Sequence, residues 1–348
     1  MLFLLSVACR AQKNKSPQFF AADHSGFQYT GRIDFSNPKL PRYWFPGVYV
    51  RARFSGSECA IVVQDEMLGG GKHNYLQVVI DDTIHYRIQL KSKRDTIEVA
   101  KGLANKAHTI TICKNTETNI GYIEFAGMFC QRLLAPPKKP KRKIEFIGNS
   151  ITCGTGSDLS RIPCGKGVWE DQHNAYLSYG PSTARNLKAE WHLTSYSGIG
   201  LTRSCCNIPF TMPQVYDKVM QAKDSIQWDF KNYEADVITI CLGQNDGAQD
   251  STIFCDTYVQ FVEKIRRSNA EARIILLTSP MADQNLTAVL KKYITAVVDE
   301  ANRKGDKKVH RYFFSKSYNS GCDGHPDLLE HQQIAKELTT YLESIMKW

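Results

Sequence analysis

The chain has 348 residues, of which 42% are hydrophobic and 23% are charged, and its formal net charge is +9. This is an ordinary globular composition, and the length favours two domains. No run of about 18 apolar residues occurs, so no transmembrane helix is expected. Part of the positive charge lies in one short run, Lys138 to Lys143. A basic run beside prolines is typical of a solvated linker, and we expect no nucleic-acid partner.

The first residues, MLFLLSVACRAQ, are apolar up to Cys9, and a polar spacer follows. This pattern resembles the end of a secretory or lipoprotein signal, although the usual positively charged leading region is missing. The alternative is an apolar N-terminal stretch with no targeting role. We expect residues 1–20 to be an export signal, with Cys9 as a candidate lipid anchor, and the protein to be secreted, periplasmic or a bacterial cell-surface lipoprotein.

The eleven cysteines show no zinc-ligand spacing, since Cys205 and Cys206 are adjacent and no C-x-x-C occurs. In an exported protein, Cys153 and Cys164 are plausible disulfide partners, although the sequence leaves the pairing open. Three further cysteines lie in apolar runs, where buried and unreactive thiols are expected: Cys113, Cys130 and Cys241.

Residues 21–135 contain short segments of alternating apolar and polar side chains, such as Phe27 to Phe35, separated by turn signals. Many short strands at this spacing predict a β-sandwich of jelly-roll type. The aromatic run Tyr43, Trp44 and Phe45 fits either contact with a sugar ring or packing in the core and between domains.

Three prolines in residues 136–140 predict a semi-rigid spacer, and we place a linker at residues 136–143. Strand patterns follow at Ile144–Ile147, Trp191–Ser195, Val237–Leu242, Arg273–Thr278 and Val309–Phe314. Helical patterns lie between or after them at Tyr176–Leu187, Asp217–Ala222, Thr257–Ser268, Leu286–Asn302 and Glu330–Met346. This alternation predicts an α/β domain over residues 144–348, with a parallel sheet covered by helices on both faces.

Ser150 follows the first strand of this domain, in the sequence GNSIT. A serine flanked by glycine at the end of a parallel strand lies where ligands bind in open α/β sheets, outside the carboxyl ends of the strands. A serine hydroxyl needs a neighbouring base to act as a nucleophile. His325, in the loop CDGHP between the last strand and the last helix, is the candidate base, and Asp323 is the nearest carboxylate.

Two more strand ends offer donors for an oxyanion hole, which stabilises the negative charge of an acyl-transfer intermediate. The stretch YSGIG offers the backbone N–H of Gly198, and GQND offers the side-chain amide of Asn245. Either stretch alone could be a tight glycine turn. With the N–H of Ser150 they complete the parts that acyl transfer requires.

The four stretches GNSIT, YSGIG, GQND and CDGHP resemble, in order and spacing, the sequence blocks of the SGNH (GDSL-like) hydrolase superfamily. The preceding β-rich half, which contains YTGRIDFSNPKLPRYWFPGVYVRARFSG, makes the whole chain similar to carbohydrate esterase family 2. The resemblance implies a jelly-roll domain before an SGNH domain of three layers, α/β/α. It also implies removal of acetyl groups from xylan or glucomannan, an acetylated polysaccharide or oligosaccharide as the partner, and no metal or organic cofactor.

The resemblance assigns Ser150 as nucleophile, His325 as base, and Ser150, Gly198 and Asn245 to the oxyanion hole. One departure concerns the carboxylate. The superfamily places aspartate three residues before the histidine, where this chain has Cys322, whereas Asp323 is two residues before. Related esterases use Asp-x-His-Pro, and some work as a Ser–His dyad supported by a backbone carbonyl. Both a triad with Asp323 and such a dyad therefore stay open.

Two other functions fit parts of the sequence. Another SGNH hydrolase acting on lipid or thioester acyl chains would need a large apolar acyl pocket, and no rich apolar cluster lies beside the motifs. A catalytically inactive carbohydrate-binding protein would lack a motif residue, and all four are present. The predicted β-sandwich favours a sugar polymer, so polysaccharide deacetylation is the main expectation.

Overall fold

The computed structural model describes residues 16–68, 72–221 and 226–348. Cys9 and most of the predicted export signal lie outside the described residues. The last residues assigned to that signal belong instead to the first strand, which begins at Gln18. Within the described residues, no helix is both long and apolar enough to cross a membrane.

The first half of the chain forms an antiparallel sheet. Its strands are β1 (Gln18–Ala21), β2 (Gln28–Thr30), β3 (Arg42–Tyr43), β4 (Tyr49–Asp65), β5 (Tyr75–Ile80), β6 (Ile84–Gln89), β7 (Arg94–Ala100), β8 (Ala107–Lys114) and β9 (Ile123–Leu134). The 17-residue strand β4 pairs with β2, β7, β8 and β9 along different parts of its length. All nine strands are therefore hydrogen-bonded as one sheet around an apolar core. The jelly-roll connectivity stays a prediction.

The aromatic run of the sequence is packed rather than exposed. Tyr43 and Phe45 are fully buried in the core of the antiparallel sheet. Trp44 packs into the apolar cluster of the second half of the chain. Of the two alternatives for this run, packing in the core and between domains is the one that the structure shows.

The second half contains a parallel sheet and its helices. The strands are β10 (Arg142–Gly148), β11 (Ala189–Ser195), β12 (Val237–Cys241), β13 (Arg273–Leu277) and β14 (Val309–Tyr312), in the spatial order β11-β10-β12-β13-β14. The helices are α1 (Ser150–Cys153), α2 (Tyr179–Asn186), α3 (Met212–Val215), α4 (Ser251–Ser268), α5 (Gln284–Arg303) and α6 (Leu328–Met346). All four strand pairs are parallel, as the sequence predicts.

Helices cover both faces of this sheet because its strands are apolar on both sides. Along β13, Ile274 and Leu276 join the cluster that contains α4 and α5, whereas Ile275 and Leu277 join the cluster that contains α2 and α6. Strands buried on both faces read as continuous apolar runs. The three-layer α/β/α fold is therefore confirmed. The domain boundaries stay a prediction: β9 ends at Leu134 and β10 begins at Arg142, so the last two residues of the predicted linker lie in a strand.

One predicted helix is wrong. The stretch Asp217–Ala222 is not helical in its described part, and Ala222 lies outside the described residues. Lys218 forms an antiparallel bridge with Gln227, and the Asp217 carbonyl accepts a hydrogen bond of 2.8 Å from the Trp228 N–H. Residues 227 and 228 therefore form the backbone hydrogen bonds that, in a helix, would have been made within the stretch itself.

Candidate active site

The candidate site residues follow three neighbouring strands of the parallel sheet. Ser150 comes after β10, Gly198 after β11 and Asn245 after β12. β10 lies between β11 and β12, so the strand order reverses at β10. Ligands bind in open α/β sheets at the carboxyl ends of the strands, next to such a reversal. The order of the strands therefore brings the three stretches to one edge.

The turn after β10 presents Ser150. Asn149 caps α1 by accepting a hydrogen bond of 3.2 Å from the Ile151 N–H. Ser150 is the first residue of α1 and is 8% exposed. A Cβ atom on Gly148 would lie 2.0 Å from Thr152 Oγ1, so only glycine allows this tight turn. The motif GNSIT is thus explained by local packing as well as by the serine.

Ser150 and His325 are in direct contact. The Oγ atom of Ser150 lies 2.8 Å from Nε2 of His325. On the other side of the ring, Nδ1 lies 3.1 Å from the carbonyl oxygen of Cys322. A carbonyl can only accept, so Nδ1 carries the proton and Nε2 is free to accept one from the serine.

The electrostatic surroundings keep His325 neutral. Burial lowers its pKa from the ordinary value, while the Cys322 carbonyl and the charge and carbonyl of Asp323 offset part of this effect. Loss of hydration disfavours the charged imidazolium. The ring is therefore available as a base at neutral pH.

Asp323 does not complete a Ser–His–Asp triad in the structure. Its side chain is exposed, and its backbone is left-handed with φ of 53°. The hydrogen-bond partner of His325 Nδ1 is the Cys322 carbonyl, and Asp323 acts on the ring through its charge and its backbone. Because of the tight turn at Asp323, the carbonyl of the preceding residue faces the ring, and the Asp323 carboxylate does not. Of the two arrangements that the sequence left open, the geometry is that of a dyad supported by the Cys322 carbonyl, and a catalytic role for the Asp323 carboxylate stays a prediction.

The oxyanion stretches follow the two strands that flank β10, at the edge of the sheet where Ser150 lies. Gly198 has φ of +82°, and a Cβ there would come within 2.7 Å of Ile208 Cδ1, so glycine is required. No described residue accepts a hydrogen bond from the N–H of Ser150 or Gly198. The Asn245 side-chain amide donates one hydrogen bond of 2.8 Å to the Ile199 carbonyl, which leaves its second N–H for a ligand.

Asp246 is a positioning residue for which the sequence reasoning found no role. Its fully buried carboxylate accepts hydrogen bonds from the backbone N–H groups of Leu201, Thr202 and Arg203, at 2.6–3.0 Å. The Thr202 hydroxyl donates a further one at 2.8 Å. These bonds fix the loop that follows Gly198. An acidic residue at the end of a buried strand was the available signal.

The disulfide predicted between Cys153 and Cys164 is wrong. Cys164 is bonded to Cys322, 158 residues away, and Cys153 is buried with its Sγ 3.2 Å from Ser195 Oγ. Proximity in the chain could not reveal that the loop after α1 lies next to the loop that contains His325, residues 319–327, which we call the histidine loop. The adjacent cysteines 205 and 206 form a second disulfide. The three cysteines of the apolar runs are buried and free, with raised pKa values, as expected.

A further buried polar cluster joins the two halves of the chain. Thr155 donates a hydrogen bond to the carboxylate of Glu117, and its Oγ1 lies 3.0 Å from Ser197 Oγ. Burial raises the pKa of Glu117 to about 7.

Among the described residues, no group of three or more His, Cys, Asp or Glu side chains could hold a metal ion.

Comparison with known proteins gives two family matches. Residues 29–137 match the model of the carbohydrate esterase 2 N-terminal domain, and residues 146–313 match the GDSL-like lipase/acylhydrolase family. The chain is 33% identical over 341 residues to the cellulase/esterase CelE of Acetivibrio thermocellus. This alignment covers 94% of the present chain but only 40% of the length of CelE. It is 28% identical to an acetylxylan esterase/glucomannan deacetylase of Cellvibrio japonicus, over 96% of this chain and 92% of the relative.

Solved structures agree with these matches. A family two carbohydrate esterase from Clostridium thermocellum, in complex with cellohexaose, superposes with a TM-score of 0.84 at 32% identity. The alignment covers 93% of this chain and all of that chain. An esterase of the same family from Cellvibrio japonicus has a TM-score of 0.86 at 26% identity and covers 96% of this chain and 99% of its own. The chain therefore belongs to carbohydrate esterase family 2, with a GDSL-type hydrolase domain after the antiparallel domain.

Proposed function

We propose that the protein is a serine esterase that removes O-acetyl groups from plant polysaccharides, acetylated xylan or acetylated glucomannan. The 2.8 Å contact between Ser150 Oγ and His325 Nε2, beside the candidate oxyanion donors, carries the proposal. The name of the Cellvibrio japonicus relative, acetylxylan esterase/glucomannan deacetylase, supports this substrate class. The identity to that relative extends over nearly the whole of both chains.

The first half of the proposed reaction acylates the serine. Ser150 Oγ attacks the acetyl carbonyl carbon, and its proton passes to Nε2 of His325. The N–H groups of Ser150 and Gly198 and the Asn245 amide hold the oxyanion of the tetrahedral intermediate. The sugar–oxygen bond to the acetyl carbon then breaks, and His325 returns the proton to the departing sugar hydroxyl.

The second half restores the enzyme. A water molecule gives a proton to His325 and attacks the acetyl-serine, which passes through a second oxyanion in the same hole. The ester bond to Ser150 then breaks, the serine recovers its proton from His325, and acetate leaves. The Cys322 carbonyl supports the imidazolium in both halves as a hydrogen-bond acceptor, without the full negative charge that a carboxylate would bring.

The test is acetate release from acetylated xylan and acetylated glucomannan by the wild-type protein and by Ser150→Ala. We expect release by the wild type and a loss of about 10⁴-fold or more in the variant. Ser344→Ala, on the exposed side of α6, is the matched control and should retain wild-type activity.

The same assay should include 4-nitrophenyl acetate and a long-chain 4-nitrophenyl ester. Preference for the long-chain ester with no release from either polysaccharide would replace the proposal by a lipid or thioester acyl hydrolase. If the protein binds the polysaccharides but hydrolyses none of the esters, the proposal would be replaced by a catalytically inactive carbohydrate-binding protein.

We further propose that the protein is exported, with Cys9 as a lipid anchor, and that a linker over residues 136–143 separates the two domains. The apolar N-terminal stretch and the three prolines support these two points. Metabolic labelling with a fatty acid, compared between wild type and Cys9→Ser, would test the anchor.

A further inference from the structure

The histidine loop contains a covalent cross-link that the mechanism does not use. Cys322, whose carbonyl accepts the hydrogen bond from His325 Nδ1, is also half of the disulfide with Cys164. We propose that this disulfide positions the catalytic base, so that the esterase reaches full activity only after Cys164 and Cys322 are oxidised. This inference rests on the proposed function and adds a redox requirement to the same site.

Cys322 is held by several contacts at once. The Cys322 carbonyl accepts from the backbone N–H of His325 at 3.0 Å as well as from its ring at 3.1 Å. The Cys322 N–H donates to the Gly156 carbonyl at 2.9 Å. With the disulfide, the main chain and the side chain of Cys322 are both held, and its carbonyl direction is fixed.

Without the cross-link, the loop that contains His325 has little regular structure. Residues 319–327 contain no helix beyond the single 3₁₀ turn Cys322–Gly324, and that turn has a left-handed residue, Asp323. Removal of the disulfide leaves Cys322 restrained by hydrogen bonds alone, from its N–H to the Gly156 carbonyl and from His325 to its own carbonyl. The neighbouring Gly321 N–H donates to the His325 carbonyl at 2.7 Å. Misplacement of a catalytic group by about 1 Å can lower a rate by about 10²-fold.

The disulfide is accessible to reagents from one side. Cys322 is 7% exposed, whereas Cys164 lies in an exposed loop. A thiol or disulfide reagent can therefore reach the pair from the Cys164 side. Oxidation by a disulfide-bearing compound proceeds by exchange: one protein thiolate forms a mixed disulfide, the second displaces it, and the reagent leaves as two thiols. The protein thiols lose two electrons and two protons in total.

The consequence is a compartment dependence. Protein disulfides persist in oxidising environments and are rare where thiols are kept reduced. In a reducing compartment the chain would fold with a poorly oriented His325 and a low turnover. After transfer to an oxidising compartment the cross-link would form and kcat would rise.

The test compares Cys164→Ala with the wild type on 4-nitrophenyl acetate. We expect kcat to fall by about 10- to 100-fold with KM changed much less, since binding of the ester does not depend on the imidazole. Cys255→Ala, which removes a free cysteine of α4, is the matched control and should keep wild-type kcat. Unchanged kcat in Cys164→Ala would overturn the proposal.

A second measurement separates positioning from simple stabilisation. The downfield NMR signal of the His325 Nδ1 proton, assigned by its absence in His325→Gln, should be present in the wild type and weakened or shifted in Cys164→Ala. If Cys164→Ala does not fold, dithiothreitol treatment of the folded wild type replaces it, with mass spectrometry of alkylated peptides to show that Cys164 and Cys322 were reduced. Oxidised glutathione should then restore kcat and the signal.

The same design distinguishes this inference from the proposed function. A wild-type protein that hydrolyses no ester would remove the proposed function, and the NMR signal would still report whether the disulfide orients His325. An active wild type whose kcat and Nδ1 signal survive confirmed reduction of Cys164–Cys322 would remove only the inference.

Discussion

The histidine loop and the loop that follows Gly198 are held in different ways. The histidine loop is held by a disulfide at Cys322 and by backbone hydrogen bonds around it. The oxyanion loop after Gly198 is held by the buried carboxylate of Asp246, which accepts from three successive backbone N–H groups, and by a hydrogen bond from the Cys205 N–H to the Gly198 carbonyl. The disulfide of the first loop reaches a distant part of the chain, whereas the disulfide of the second joins adjacent residues, so the long-range support of the second loop comes from hydrogen bonds to a charge. Changes in the two loops should therefore differ in size and in their dependence on pH and redox state.

The largest effect is expected from removal of the base itself. His325→Ala should lower kcat/KM on 4-nitrophenyl acetate by about 10⁴-fold or more, because Ser150 would have no proton acceptor. His85→Ala, at an exposed position of β6, is a control that should leave the rate unchanged. More than a tenth of the wild-type rate in His325→Ala would show that another group deprotonates the serine.

Removal of the side-chain oxyanion donor should have the next largest effect. Asn245→Ala should lower kcat by about 10²- to 10³-fold with little change in KM, because in the proposed mechanism its free N–H contacts the oxyanion only in the transition state. Asn245→Asp keeps the shape but places a carboxylate at the oxyanion and should be at least as impaired. Full kcat in both variants would exclude Asn245 from the oxyanion hole.

Asp246→Ala tests the support of the oxyanion loop. We expect a decrease in kcat of about 10-fold or more, since Gly198 would lose its fixed position. Three backbone N–H groups would also lose their acceptor, and the buried one, that of Leu201, would cost about 1–3 kcal/mol when unsatisfied. Kinetics and thermal unfolding should therefore both change.

Asp246→Asn is the matched control for that experiment. It keeps one carbonyl oxygen that can accept these bonds, and it should recover part of both losses. Equal kinetics and equal unfolding temperature for Asp246→Ala and the wild type would contradict the positioning role of the carboxylate.

The acidic limb of the pH–rate profile tests the electrostatics of the histidine loop. Burial lowers the pKa of His325, so the neutral, active form should persist below the ordinary value of 6.5. Activity falls as pH decreases through the pKa of the base, since protonation of Nε2 removes its acceptor. The midpoint of kcat/KM on the acidic side should therefore lie below 6.5, and a midpoint above that value would contradict the burial effect.

The smallest effect is expected for the exposed carboxylate of this loop. Asp323→Asn should change kcat by less than about threefold, because the Cys322 carbonyl orients the ring. The midpoint of the acidic limb should move slightly down, because the Asp323 charge raises the pKa of His325. A loss of about 100-fold would show that the carboxylate supports the histidine directly.

Much of the fold could be predicted because its signals are local. The apolar run of β12 and the helical spacing of α5 and α6 do not depend on distant residues for their interpretation. The helix predicted at Asp217–Ala222 was wrong because Lys218 in this stretch pairs with Gln227 in an antiparallel bridge. The long strand β4 also needed the tertiary structure, since one strand pairs with four others at successive positions.

The candidate site shows the same division. Ser150, Gly198, Asn245 and His325 could be named because each follows a strand in a motif with characteristic turn residues. The partner of the imidazole could not be chosen, because Asp323 and the Cys322 carbonyl are adjacent in the chain and only the backbone turn decides which of them faces the ring.

The sequence by itself determined the α/β class of the second half, the order of the four motifs and the residue types for acyl transfer. These follow from hydrophobic periodicity and turn chemistry, which act over a few residues. Only the tertiary structure decided the Cys164–Cys322 bond, the contacts of Asp246 and the support of His325. Each of them joins groups through space after the strands have been ordered, and proximity in the folded chain is not contained in local sequence patterns.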